Sequence, residues 1–474
     1  MDGRGSDFNI QGVCHCLDLP GRAVPETRAN RDGCAESSGS RRPVRSAGLR
    51  ARRCGLPCLV LALISCNRPE PSRTAPATAR DSTGIRIVEN VAEVWDSATA
   101  WRLSDAPVLE LGAGIEGDRD QQFANLQSVM LLPDTTVLVA DAGNFVLSRF
   151  DFSGRLVSRA GGSGSGPGEL GSGLMQRIFR CAGDSIFVSG RDRITVFAPT
   201  GEFERTFRLQ LPTGHLAAAM LCMGNRIVAN TRYGTWPTAP GVYRDSMLLG
   251  LYSTTGEFHG TMGPLPEQDR TYIRALEGVA EVGFHPTPFG RRLAIAGMHG
   301  VLATGIGDVF EIRLNDSTGA LRGIVRVTSE NRPLTDGDIQ RYRDFVLPDY
   351  RGNAIERREL ERELEAAKLP ATMPAFADFA FDASGNLWVR SYDHFDAVSF
   401  HNYTLSARQM RTRALPDEPR VWTVLGPDGT LLGRSTTPPG FIVHDIGAAW
   451  IAGIWRDTLD VDHVRVYGIV KPAG

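Results

Sequence analysis

Residues 123–170 read FANLQSVMLLPDTTVLVADAGNFVLSRFDFSGRLVSRAGGSGSGPGEL. Ser128 to Leu132 reads as a strand, Pro133-Asp134 turns the chain, and Val137 to Asp141 is a second strand rich in β-branched residues. After Ala142-Gly143-Asn144 a third strand, Phe145 to Phe150, reaches the turn Asp151-Phe152-Ser153-Gly154, and a fourth, Arg155 to Ala160, runs into a Gly-rich loop. Four antiparallel strands joined by tight turns predict one blade of a β-propeller.

The hydrophobic-x-x-x-Gly turn returns as Phe197 to Gly201, Tyr252 to Gly256 and Leu425 to Gly429, with a version one residue longer at Leu314 to Gly319. Successive turn glycines, from Gly154 to Gly429, lie 47, 55, 63 and 110 residues apart, as expected of a constant unit with growing insertions. Five turns imply five blades. A sixth can be assembled from Phe441 to Val470, which offers three strands, and Trp101 to Leu111, which offers the fourth. Pairing an N-terminal strand with a C-terminal blade removes the free edges that an open sheet presents. The expectation is an all-β chain: a six-bladed propeller closed by an N-terminal strand, with a helical insertion at about 334–369 between blades four and five.

The quoted stretch resembles an NHL-type repeat, with its strand ending VAD, its turn containing Asn, its FD-x-x-G and its G-x-GPGE exit. The whole chain from Cys66 onward is similar to the six-bladed propeller lipoproteins of bacteria. The resemblance implies the fold and little chemistry.

Residues 1–53 are rich in Arg, Gly and Ser with no apolar period, and read as disordered or as a mis-assigned start. Residues 54–66 bring an apolar run, Leu56 to Ile64, behind a basic stretch, and end Leu63-Ile64-Ser65-Cys66. That is a secretory signal, and its last four residues resemble the lipobox in which the cysteine is acylated and becomes the new N-terminus. A plain signal peptide with a chance cysteine is the alternative. Residues 67–84, rich in Pro, Ala, Ser and Thr, read as a linker, leaving 85–474 for the propeller. These features predict an extracytoplasmic protein held by a lipid on Cys66 to a bacterial membrane, in the periplasm or on the outer membrane.

The whole chain has 52 basic and 54 acidic residues; ten and six of these precede Cys66, so the processed form is mildly acidic. Without a basic excess, nucleic acid is not an expected partner. Two G-x-G-x-x-G matches, Gly112-Gly114-Gly117 and Gly166-Gly168-Gly171, fall in equivalent interblade loops and not at a strand-to-helix turn, so no nucleotide site is expected. Six of the eight cysteines lie at or before Cys66, and the five before it, Cys14, Cys16 and Cys34 among them, leave with the signal, so the Cys14-His15-Cys16 cluster is not expected in the processed chain. Cys181 and Cys222 occupy equivalent places in consecutive blades; buried packing is expected, with a disulfide as the alternative.

All the length variation falls on one face. Tyr233 to Arg244 reads as a loop between second and third strands, and Pro264 to about Gly290 and Ser329 to Ala375 read as interblade loops. In the last, Thr335 with Asp338 offers a helix N-cap, Ile339, Tyr342, Phe345 and Val346 share one side, and Pro348 stops the helix. Ile355 to Lys368 is a second, highly charged helical stretch, read as packed on the rim, with a lid over the channel mouth as the alternative.

A metal-dependent hydrolase would need several hard ligands at the ends of the second strands. That column reads Asp141, Gly190, Asn230, Gly305, Ser391 and Gly453, in which only Asp141 and Asn230 are plausible oxygen donors. Asp141 reads first as the cap of its own turn. Tyr233 and Trp236 could stack on a sugar or peptide, and His394 lies at the mouth of the fifth blade. With Asp141 and Asn230 these are the ligand-face candidates. The expectation is a non-enzymatic binding module for protein, peptide or glycan, without cofactor. The alternative is a lactonase-like or lyase-like hydrolase with a divalent ion, calcium for instance, in the central channel.

Overall fold

The computed structural model describes residues 75–474 except 113–116, 172–176, 191–192, 211–216, 233–238, 274–282, 348–357, 359–360, 363–364, 366–367, 395, 398–417, 458, 460 and 473–474. The side chains at 182, 217–218, 232, 273, 283–285 and 345–346 are also left undescribed. Residues 1–74, with the signal, Cys66 and most of the linker, lie outside the described residues.

The described chain begins with a hairpin, β1 (Ala77–Ser82) and β2 (Ile85–Asn90), followed by β3 (Arg102–Leu103) and β4 (Leu109–Leu111). The quoted stretch then forms β5 (Leu126–Leu131), β6 (Thr136–Asp141), β7 (Val146–Asp151) and β8 (Leu156–Gly161). A second sheet follows as β9 (Arg177–Arg180), β10 (Ile186–Ser189), β11 (Ile194–Phe197) and β12 (Phe203–Phe207). The third contains β13 (Ala217–Met223), β14 (Arg226–Arg232), β15 (Gly241–Ser253), β16 (Phe258–Ile273) and β17 (Gly283–Pro286). The fourth contains β18 (Ala294–Met298), β19 (Val301–Gly305), β20 (Glu311–Asn315) and β21 (Leu321–Val327). Helix α1 (Asp336–Val346) precedes the fifth sheet, β22 (Asp378–Phe381), β23 (Leu387–Arg390), β24 (Arg420–Leu425) and β25 (Leu431–Thr437). The last comprises β26 (Phe441–Ile446), β27 (Trp450–Arg456) and β28 (Asp462–Val470).

Within each sheet consecutive strands pair antiparallel, as short turns favour. The turn glycines explain the regularity. Gly154 donates its N–H to the Asp151 carbonyl 3.0 Å away and takes φ +84°, a left-handed conformation that a side chain would oppose. The other four turn glycines do the same, with φ between +87° and +94°. One register shift accompanies each of these turns, the mark of a bulge that tightens the hairpin.

The core is divided among the gaps between sheets. Phe150, Val139 and Leu126 of the first sheet pack with Ala452 and Val464 of the last. Leu138 and Leu147 pack with Ile186 and Phe197, and Phe187 with Tyr252 and Ile227. Met223 and Leu249 meet Leu302, Ile312 meets Phe379 and Leu431, and Trp388 meets Phe441 and Tyr467. Every sheet therefore shares an apolar layer with the next in sequence, and the last shares one with the first. The first strands of successive sheets are also neighbours, from β5 and β9 through to β26 and β5. This is the arrangement of a β-propeller.

The N-terminal segment does more than the sequence suggested. β3 and β4 both pair with β28, so Trp101 to Leu111 supplies the outer strand of the last sheet in two pieces. Upstream, β2 runs parallel to β21 on the fourth sheet and β1 extends it, so Ala77–Ser82 is strand where composition suggested linker. Asn90, fully buried, joins two sheets: its amide donates to the carbonyls of Arg326 and Gly429 (both 3.0 Å), and its oxygen accepts from Leu431 N (2.7 Å). The chain thus runs along three sheets before the first turn begins.

Two stretches read as loops are strands. Gly241–Arg244 and Asp269–Tyr272 of the presumed interblade loop pair with each other, Val242 opposite Thr271 and Arg244 opposite Asp269, within β15 and β16. Their alternating side chains carry the strand period, which the prolines and charges masked. Cys181 and Cys222 form a disulfide, with Cα atoms 5.4 Å apart, which corrects the expectation of packing alone. The inner strands of the second and third sheets approach closely enough there for covalent pairing.

Candidate functional site

The turns between first and second strands and between third and fourth strands lie at one end of the sheets. The opposite end carries the β15–β16 arm, the segment holding α1 and the connection between β23 and β24. That long-loop face is the candidate site, because recognition usually resides on loops held by a rigid scaffold.

On the first sheet the face is spare. Asp141 is buried, and its carboxylate accepts from Ala124 N, Asn125 N and Gly143 N (each 2.9 Å), from Asn144 N (3.3 Å) and from Asn144 Nδ2 (2.7 Å). The oxygens that a cation would need are spent on tying the sheet's entry to its second turn. Asn230 sits on β14 opposite Ala218 and Leu249, half-buried, with its Oδ1 lacking a hydrogen-bond partner among the described residues. Tyr233 and Trp236 lie outside the described residues.

The fourth and fifth sheets build the platform. Thr335 and Asp338 close a reciprocal capping box at the start of α1, Thr335 N to Asp338 Oδ2 at 3.0 Å and Asp338 N to Thr335 Oγ1 at 3.2 Å. Arg332 adds a two-pronged contact to the same carboxylate at 3.0 and 3.1 Å. Burial opposes ionisation of Asp338, but Arg332 and Thr335 outweigh it and hold the group at about 2. Tyr342 and Ile339 on α1 pack with Phe289, Met373 and Ala397, as the apolar spacing suggested; Phe289 and Tyr342 meet edge-on with centroids 5.4 Å apart. Most of Ile355 to Lys368 is outside the described residues.

The arm is bound to this platform by charge. Arg244 reaches Asp269 (2.8 Å) and Asp308 (2.5 Å), whose hydrogen bonds hold the guanidinium above its ordinary range, while Arg291 donates to the Thr372 carbonyl at 3.2 Å. Three elements distant in sequence are thereby fixed together.

Under His394 lies a buried ion pair. Arg390, at the end of β23, contacts both oxygens of Asp396 at 2.9 and 2.6 Å, and both side chains are buried. Asp393 and Asp396 exchange hydrogen bonds through their backbone amides, Asp393 N to Asp396 Oδ2 at 3.0 Å and Asp396 N to Asp393 Oδ1 at 3.1 Å. Burial would raise the Asp396 carboxyl, but Arg390 outweighs burial and lowers it; burial and the Asp396 charge raise Asp393. The Tyr392 hydroxyl, buried without a hydrogen-bond partner among the described residues, is pushed well up by burial. His394 is half-buried on this turn.

The column of second-strand ends changes accordingly. β23 ends at Arg390 before Ser391, and Gly453 lies within β27, which ends at Arg456. Arg456 pairs with Asp462 at 2.7 Å, the same six-residue separation as Arg390 and Asp396. An Arg six residues before an Asp across a predicted turn was the legible signal for both. Among the described residues, no three His, Cys, Asp or Glu side chains are grouped as a metal site.

One further cluster was missed. A register shift between Val443 and Asp445 inserts His444 as an extra residue in β26. Asp445 accepts from Arg180 (2.6 Å) on β9 and from Leu131 N (2.8 Å) on β5, joining the first strands of the last, first and second sheets. His444 remains open to solvent, yet enclosure by surrounding strands, with help from Arg177, pushes it down to about 4.

No family model matches the chain, and no curated protein matches it. Among solved structures, a DUF4221-family protein from Bacteroides vulgatus is 12% identical, with a TM-score of 0.45 over 79% of this chain and 100% of that one. A Bacteroides fragilis protein titled as exported is 12% identical, with a TM-score of 0.41 over 82% and 100%. A gluconolactonase from Xanthomonas campestris is 13% identical, with a TM-score of 0.35 over 80% and 94%. At these scores the assignment of the fold rests on the sheets themselves.

Proposed function

We propose that the chain is a six-bladed propeller, closed through its N-terminal strands, that acts as a membrane-tethered extracytoplasmic binding module for a protein, peptide or glycan. The observation that carries the reading is the joint anchoring of the arm, α1 and the β23–β24 turn on one face by Arg244, Arg291, Arg390 and an aromatic cluster. A platform fixed in this way loses little conformational entropy on binding. Val309 and Leu459, 62% and 81% exposed, lie on turns of this face and are fitted to contact a partner.

The compartment is argued separately. A Cys181–Cys222 disulfide suits an oxidising environment, and the Leu63–Cys66 match suits a lipid anchor on Cys66. Changing Cys66 to Ser should then release the protein from the membrane fraction, and retention of that variant would overturn the anchor. The hydrolase alternative is less supported, since Asp141, the best candidate ligand of the column, is committed to main-chain donors.

The binding reading is tested by cross-linking in the native envelope, comparing Val309→Asp with Leu459→Asp against Val157→Asp with Val470→Asp, which alter the opposite end of the sheets. Cross-linked species should disappear with the first pair and persist with the second. Persistence in both pairs would remove the long-loop face from recognition.

A further inference from the structure

A second site lies at the other end of the molecule, where the fourth and fifth sheets meet. A cleft of about 280 Å³ opens between β2, β21 and the β24–β25 turn, close to the smallest size typical of small-molecule pockets, about 300 Å³. Its walls are apolar, formed by Val88, Val301, Leu314, Ile324, Val325 and Pro427. Gly323 leaves the space open. A Cβ there would meet Leu314 at 3.4 Å and the Arg86 carbonyl at 3.6 Å, ordinary contacts, so no close approach demands glycine in the middle of this strand. The absent side chain makes room without relieving strain.

Four charged residues frame the opening, and three of them are engaged. Asp316 spends one oxygen on Thr318 and Ala320 and the other on Arg322 Nε at 2.7 Å. Asp428 gives both oxygens to Thr430, at 3.0 and 2.8 Å. Arg86 is exposed on β2, and its side chain donates no hydrogen bond to a described residue, although its charge is near enough to help hold the Asp428 carboxyl low. The donors left over at the opening are therefore those of a guanidinium, whose planar fork matches a carboxylate.

We propose that this cleft binds an amphipathic carboxylate, its aliphatic body against Val88, Val301, Leu314 and Ile324 and its carboxylate on Arg86. Two sources share that chemistry: a free alkanoate and the C-terminus of a chain ending in an aliphatic residue. The site stands apart from the long-loop face and does not depend on the reading given to that face. The N-terminal hairpin contributes Arg86 and Val88, so the pocket exists only once β2 has docked on β21.

Calorimetric titration of the purified chain with octanoate, octanol and N-acetyl-valyl-leucine tests the site. Saturable one-to-one binding of a carboxylate is expected; octanoate assigns the free acid, and the dipeptide alone assigns a chain terminus. Arg86→Gln should weaken the carboxylate about tenfold while leaving octanol unchanged, a loss of about 1.4 kcal/mol. Gly323→Leu should abolish binding of both, with Gly323→Val as the smaller plug if the leucine variant does not fold. Failure of both carboxylates to saturate, equal affinity in Arg86→Gln, or full affinity in a folded Gly323 variant would overturn the proposal.

Discussion

The first and fifth sheets hold the same structural position, the end of a second strand on the long-loop face, by different means. On the first, Asp141 is met by donors from Ala124, Asn125, Gly143 and Asn144, all of the same sheet, and the connection is short. On the fifth, Arg390 holds Asp396 across a turn that opens into the long connection 391–419. A carboxylate that accepts these main-chain N–H groups ties a turn to the entry of its own sheet. A buried guanidinium with a carboxylate anchors one fixed turn at the base of a long connection, at the cost of desolvating both charges. Regularity and elaboration thus use different chemistry, and the second is found where partner contacts are proposed.

The largest expected effect comes from breaking the fifth sheet's device. Arg390→Ala leaves Asp396 buried without its partner and should destabilise the protein by about 4 kcal/mol in urea unfolding. Replacing both by apolar residues, Arg390→Met with Asp396→Leu, should recover most of that loss; no recovery would show that the pair does more than satisfy itself.

Next is the covalent link at the other end of the inner strands. Cys181→Ser with Cys222→Ser should cost about 3 kcal/mol, in the middle of the usual range for a disulfide. The long-loop face should keep its partner in that variant if the two ends are independent.

Asp141→Ala follows at about 2 kcal/mol, because several buried N–H groups lose a charged acceptor together. A smaller effect than that of Arg390→Ala is the outcome that preserves the contrast between the sheets. Thr335→Ala removes one half of the α1 capping box and should cost about 1 kcal/mol, read as loss of helical signal and of amide protection in Asp336–Val346.

Smallest at neutral pH is the effect of His444, which appears only as a pH dependence. His444 binds its proton less readily folded, at about 4, than unfolded, near 6.5. Its contribution to stability is therefore complete above about 6.5 and declines as pH falls toward 4, where the unfolded chain binds more protons. His444→Gln should flatten the slope in that window, measured by unfolding at a series of pH values; an unchanged slope would place its origin elsewhere.

Much of the scaffold was legible because its signals are local. Gly154 and its counterparts mark positions that need a left-handed backbone, Asp141 sits where a turn needs an acceptor, and Thr335 with Asp338 spells a helix start. The parallel docking of β2 on β21 was not legible, since it joins residues more than 230 positions apart and leaves no periodic trace in either. The β15–β16 arm was hidden by prolines and charges that ordinarily interrupt strands. Cys181 and Cys222 were recognised as equivalent, but the distance between neighbouring inner strands decides whether they bond. At the candidate site, Arg390 and Arg244, which hold its elements together, were not among the residues chosen for their chemistry. Those two were passed over because an arginine in a sequence does not say which carboxylates it will meet.

Metal analysis of the purified, dialysed protein, combined with the cross-linking series, tests the central claim most directly. A binding module should carry no stoichiometric divalent ion and should lose its partner only through changes on the long-loop face. One equivalent of calcium or zinc that survives dialysis would contradict that account and favour a hydrolase.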